Sequence, residues 1–178
     1  MGVTNSATRF GLATRALHWL MAAGIIAMLG FGTYLGRIEP SLSTIWMYGA
    51  HKSVGLVLLG LAVARVGWHL ASPPPHPLGG VPAWQTALAR ATHRGLYLLI
   101  VAVPLSGWIG SAASGIDVVL FDRWTLPRIA PLSEAWTDGA FLVHGVLTKL
   151  LAALVVLHIA GALKRRDGTL RRMLRGAA

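Results

Sequence analysis

The sequence predicts an all-α membrane protein, a bundle of four transmembrane helices forming one domain over residues 1–178, and three observations predict it. The first is composition: 54% of the residues are hydrophobic and 12% charged, with a mean hydropathy of +0.61, too apolar for an ordinary soluble domain. The second is the presence of four apolar stretches, at about 15–36, 47–70, 88–112 and 138–163. At about 1.5 Å of rise per residue each is long enough to cross a bilayer. The third is the placement of basic residues at the N-terminus, between the second and third stretches, and in the C-terminal tail. All three flanks share one side only if the number of spans is even, and the positive-inside bias makes that side the cytoplasm. With several passes, both termini are expected to be cytoplasmic. The net charge of +10 is therefore read as a topology signal, and no nucleic-acid partner is expected. With no cysteine in the chain, disulfides, thiolate metal sites, iron–sulfur clusters and covalently attached haem are excluded.

Residues 1–14 are short and polar, with Arg9 and Arg15 near the membrane. A cleavable signal peptide competes as a reading of this end, but the run Ala16–Leu35 is longer than a signal core and closer to a true span. His18 and Trp19 stand at its start, Trp19 well placed as an interfacial anchor. A short connection with Arg37, Glu39 and Pro40 leads to the second span, which opens with His51 and Lys52. Gly55, one turn on, leaves room for a flat group against the backbone. The loop SPPPHPLGGVP (Ser72–Pro82) cannot be helical, and His76 within it is expected to be solvent-exposed. The third span is entered at His93 and Arg94, and Pro104 is expected to kink it. The long connection from Ala112 to Trp136 is expected to form an amphipathic lid on the membrane. Span four, DGAFLVHGVLTKLLAALVVLHIAGAL, holds Lys149 and runs into the basic tail KRRDGTLRRMLRGAA, which includes Arg166.

Histidine spacing carries the functional reading. His144 and His158 are fourteen residues apart on span four. That places them within roughly 40° of one another around the helix and about 21 Å apart along it. Two imidazoles on one face, one near each membrane surface, call for two metal centres stacked across the membrane, with bis-histidine haem the foremost candidate. The topology supplies partners at matching depths. His18 and His158 both lie at the inner surface, and His51 and His144 both lie at the outer surface. Arg65, fourteen residues after His51, returns to the same face at the inner surface. It reads either as an ion-pair fork for a haem propionate or as a snorkelling helix-end arginine. His93 at the same level has three readings: a ligand, a contact to propionate or quinone, and a surface cap.

In its motifs the chain resembles the bacterial cytochrome b-561 family of small four-helix di-haem membrane proteins. The matching pieces are ALHWL at Ala16–Leu20, HKSVG at His51–Gly55, H-x-x-x-Y at His93–Tyr97 and PLSGW at Pro104–Trp108. They continue with the LFD…LP stretch at Leu120–Pro127 and His144…His158 followed by RDGTLRRM. The resemblance implies two haem b groups with His18, His51, His144 and His158 as axial ligands. It also implies ubiquinone as a redox partner and oxidation of superoxide to dioxygen as the activity. The chain departs from the family in carrying Lys164 and Arg165 where members often have histidine beyond the fourth-span ligand. Gly145 likewise replaces an acidic residue often found after the outer ligand.

With both axial positions taken by histidine, electron transfer is favoured over oxygen activation. Superoxide is expected to give its electron at the outer haem, drawn by Lys52, Lys149 and Arg37, while Arg65 and His93 tune the inner haem and quinone step without ligating iron. The alternative function is the cytochrome b subunit of a larger dehydrogenase or hydrogenase, with a redox partner protein as donor. A haem-free structural or transport bundle is disfavoured by the complete histidine set.

Overall fold

In a computed structural model the protein is described over residues 2–165 and 167–176; Arg166 of the basic tail lies outside the described residues. Four long apolar helices account for most of it: α1 (Leu12–Leu35), α2 (Ile45–Ala71), α3 (Ala83–Ala113) and α4 (Glu134–Lys164). Each has the length and hydropathy to cross a membrane, so the chain is a multi-pass membrane protein. A two-stranded hairpin, β1 (Val119–Leu120) and β2 (Trp124–Thr125), precedes α4, and a short helix α5 (Thr169–Arg175) follows it.

All four spans are longer than the apolar runs alone indicate. The largest extension is at α3, which starts at Ala83 directly after Pro82 and takes in the polar segment up to Arg94. Pro82 both ends the extended loop and leaves no orphan amide inside the helix. At α4 the Ser133 side chain caps the first turn by accepting from the Trp136 amide, with Glu134 at the positive end of the dipole. α3 runs through Pro104 as one helix.

Packing is sequential: α1 lies along α2, α2 touches α3, and α3 and α4 form the most extensive pair. Small residues bring the last two together. A Cβ at Gly95 would stand 2.7 Å from Leu154, and one at Gly110 would stand 3.0 Å from the Phe141 ring. Close approach through glycine is how helices gain contact when lipid supplies no hydrophobic drive.

The connection between α3 and α4, expected as an amphipathic lid on the membrane, contains the hairpin, which packs against the start of α2. Its turn places Phe121 and Asp122 at φ 49° and 56°, the left-handed region that tight hairpins use. Ser53 of α2, 1% exposed, holds it there. The Ser53 hydroxyl accepts from the Phe121 amide at 2.9 Å and donates to the Gly49 carbonyl at 2.9 Å. An ion pair between Arg128 and Asp117 (2.9 Å) braces the loop.

At the opposite end the N-terminal segment, the α2–α3 loop and α5 are tied together. Arg172, 5% exposed, donates to the Thr8 carbonyl at 2.7 Å and the His76 carbonyl at 2.8 Å. Arg15 donates to the Met173 and Leu174 carbonyls, and Asn5 bonds Ser72 through both its amide and its side chain. Trp68 of α2 donates to Thr14 of α1 at 2.8 Å. The three basic flanks thus share one end of the bundle. His76 is exposed, as expected, but its carbonyl is part of this clasp. Asp167, placed to receive Arg165 and the Thr169 amide, loses some solvation to burial, yet those hydrogen bonds hold its carboxyl below the ordinary range.

Replacing Ser53 by alanine leaves the Phe121 amide without a partner, a loss of about 1–3 kcal/mol. Hydrogen exchange at residues 119–125 is therefore expected to quicken roughly ten-fold or more, with exchange inside α3 and α4 unchanged.

Paired histidines at two levels of the bundle

α4 presents its two histidines by helix geometry alone. His144, Leu151 and His158 follow one another at intervals of seven, and Leu151 between them is 4% exposed, so this stripe faces inward. α1 and α2 bring the facing rings. His18 of α1 stands with its ring centre 6.1 Å from that of His158. His51 of α2 stands 6.4 Å from His144. These are the two same-depth pairs expected from topology.

At the level of His51 and His144, the one expected to be outer, the rings are seated against glycine. A Cβ at Gly32 of α1 would stand 3.0 Å from His51 Cε1, and one at Gly107 of α3 would stand 3.2 Å from His144 Cε1. His144 Nδ1 lies 2.9 Å from the Val103 carbonyl, with Ser106 Oγ at 3.1 Å. A carbonyl can only accept, so Nδ1 carries the proton and Nε2 keeps its lone pair. His51 Nδ1 is buried without a hydrogen-bond partner, an atom that calls for one. Gly55 is not part of this seat; its open side faces Met28.

The inner level is a larger polar cluster. His93 of α3 stands 5.1 Å from His158 between ring centres, closer than His18 does. Arg65 Nη2 lies 3.2 Å from His18 Nδ1, and Arg65 Nε donates to the Tyr97 hydroxyl at 3.1 Å. That hydroxyl is in turn 3.4 Å from His69 Nδ1. Because a guanidinium can only donate, His18 accepts with Nδ1 and, when neutral, carries its proton on Nε2. Sequence reasoning missed His69 and left Tyr97 without a role. The signals were present, since His69 follows Arg65 by four residues and Tyr97 follows His93 by four, one helical turn in each case.

The two expected pairs stand 6.1 Å and 6.4 Å apart between ring centres, wide enough for an ion between the rings, while His93 stands nearer to His158 at 5.1 Å. Among the described residues no three His, Cys, Asp or Glu side chains group as a metal site. Two protein ligands per centre is the donor count of a haem iron, whose other four come from the macrocycle.

Of the three cations expected to draw an anion, Lys52 lies beside His51 in sequence and bonds to Ser111 Oγ (3.1 Å) and the Asp117 carbonyl (3.3 Å). Arg37 is exposed in the α1–α2 loop. Lys149 is not brought to the outer pair. Five residues beyond His144, its side chain is turned about 140° from that face, and it is exposed on the outside of α4.

Beside the inner cluster, a cavity of about 300 Å³ opens between the start of α3 and the end of α4. Leu88 and Leu157 are among its apolar walls, and His93, His158, Lys164 and Arg165 are its polar lining.

The chain is similar to known proteins over nearly its whole length. "Cytochrome b561 homolog 2" of Escherichia coli (strain K12) is 35% identical over 181 aligned residues, covering 98% of this chain and 95% of that protein. "Probable superoxide oxidase CybB" of Yersinia pestis is 25% identical over 162 residues, covering 89% and 91%. The family described as prokaryotic cytochrome b561 matches residues 9–176. Four membrane-spanning helices and a match over nearly the whole chain place this protein in the prokaryotic cytochrome b561 family, membrane electron-transfer proteins that bind b-type haem.

Proposed function

We propose that this protein carries two haem b groups and moves electrons across a bacterial inner membrane, oxidising superoxide to dioxygen at the outer side and reducing ubiquinone at the inner side. The observation that carries the reading is the pair of facing imidazoles at each level, at 6.4 Å and 6.1 Å. His51 with His144 would hold the outer iron, and His18 with His158 the inner. The clasped ends, both termini included, would lie in the cytoplasm.

Bound haem supplies reversible one-electron transfer. The chain's residues do the rest. Val103 and Ser106 fix the tautomer and ring plane of His144, leaving Nε2 for the metal. For His18 to ligate through Nε2, its proton must sit on Nδ1, so Arg65 must turn to another acceptor. A haem propionate is such an acceptor, and the guanidinium fork matches it. The cavity between α3 and α4 suits a quinone: apolar walls for the tail, with Lys164, Arg165 and His93 as donors toward the head-group carbonyls. Two superoxide ions yield two dioxygen molecules and two electrons, and with two protons these convert one quinone into its quinol.

Lys52 is the cation best placed to draw superoxide. Its partners, Ser111 Oγ and a main-chain carbonyl, are neutral, and the Asp117 carboxylate is engaged by Arg128.

Purified protein is expected to contain two haems per chain by pyridine haemochrome assay. His51→Ala or His144→Ala should remove the outer haem and His18→Ala or His158→Ala the inner, with one haem or none in the wild type refuting the reading. Gly107→Val, which drives a side chain into His144, should behave like a loss of the outer ligand, whereas Gly60→Val, in open space, should not.

The His93→Ala variant is expected to keep two low-spin haems while reducing quinone several-fold more slowly. A missing haem would make His93 a ligand.

Anion attraction weakens with salt, the Debye length being about 8 Å at physiological ionic strength. Haem reduction by superoxide should therefore slow as salt rises. Lys52→Gln should lower the rate several-fold at low salt and flatten that dependence, while quinol-driven reduction is unchanged. If superoxide never reduces the wild-type haem at useful rates, the role as cytochrome b subunit of a partner dehydrogenase or hydrogenase replaces this one.

A further inference from the structure

Lys149 sits at the midpoint of α4, about 22 Å of helix from either end. Its side chain is exposed and has no hydrogen-bond or ion-pair partner among the described residues. Leu151, two residues on, is buried, which puts Lys149 about 160° away from the inward stripe and on the lipid side. A charged side chain at the centre of a spanning helix is costly unless it is paired or hydrated. The surface at either end is too far for four methylenes to bring the ammonium fully into water.

The surrounding face has a definite form. Leu142, Val146, Lys149, Ala153 and Val156 are all exposed and follow one another at alternating steps of four and three. That is the seam spacing of one helix packed on another, with Lys149 at its centre. A single polar residue in such a seam specifies the partner and fixes register, at a cost in stability.

Charge identifies the occupant. A second copy of this chain offers no carboxylate at this depth. Its six acidic residues are Glu39, Asp117, Asp122, Glu134, Asp138 and Asp167, all in connections, in the tail or in the first turns of α4. Asp138, the nearest along α4, is eleven residues from Lys149, about 16 Å along the helix. We propose that the α4 face centred on Lys149 docks a transmembrane helix of a different polypeptide, one bearing an Asp or Glu at mid-depth. The proposal is independent of the direction of electron flow and of the electron donor.

The test has two arms, both on the full-length protein. In liposomes, a synthetic Leu–Ala spanning helix of about 20 residues with one central Asp is compared with the same helix centred on Leu, by energy transfer to the labelled protein. A buried interhelical polar contact gives about a five- to thirty-fold preference for the Asp helix. Lys149→Arg should keep that preference and Lys149→Met should abolish it, both variants inserting with wild-type haem content. In native membranes, a membrane-permeant carbodiimide should join the Lys149 amine to a carboxylate, mapped by mass spectrometry to a spanning segment of another polypeptide. Equal binding of the two helices overturns the proposal. So does a cross-link from Lys149 only to a second copy of this chain, or no Lys149 cross-link at all.

Discussion

Everything in this bundle depends on one helix carrying two imidazoles on one stripe. His144 and His158 share a face of α4 because fourteen residues return a helix close to its starting angle, and Leu151 closes the space between them. A single helix serving both levels must be held in rotation, since a turn of a few tens of degrees would unseat both rings together. α3 provides that hold. Gly95 and Gly110 bring the two backbones close, Gly107 receives the His144 ring, and the Val103 carbonyl fixes its proton. With α3 and α4 locked as a unit, α1 and α2 need each deliver one histidine.

The two levels differ in the electrostatics around a similar pair. At the outer level the partners of His144 are a carbonyl and a hydroxyl, and Lys52, next to His51 in sequence, is held to neutral acceptors. At the inner level Arg65 lies among His18, His69 and Tyr97, with His93 close to His158. A cation next to a centre that gains an electron stabilises the reduced form, more strongly where water is excluded. On the proposed function this asymmetry favours movement from the outer level to the inner, toward the cavity between α3 and α4. The polar residues of the inner level are thus placed to set potential as well as geometry.

The four spans, the two histidine pairs and the sidedness of the basic flanks were legible because each rests on a local regularity: apolar length, helical period, or charge at a helix end. What was not legible rests on contacts between distant segments. Ser53 looks like any small residue of a span until the hairpin, 66 to 68 residues later, is laid on it. Gly32 carries no mark that distinguishes it from Gly30 or Gly60, whose added Cβ would meet nothing within 4 Å. Arg172 reads as one more positive charge in the tail, yet it is buried and holds two other segments by their carbonyls. Lys149 is a different case. Its angle from His144 follows from the same 100° per residue that paired the histidines, and applying it to the lysine moves that charge from the interior to the lipid-facing side.

The two ends of the bundle are closed by different means, and on the proposed function the difference matches what would have to pass. At the inner end three segments are fastened to one another by buried arginine and asparagine contacts, while the cavity beside His93 remains open laterally between α3 and α4. On the proposed function a quinone would enter such a site from the bilayer, so fastening this end obstructs nothing. At the outer end a short hairpin covers the start of α2 and is held to it chiefly by one serine, with the Lys52 side chain beneath. A small anion arriving from water needs positive charge near the ring edges and little else. Electron transfer does not require contact with the metal, so on the proposed function a hairpin held on α2 would not block the reaction.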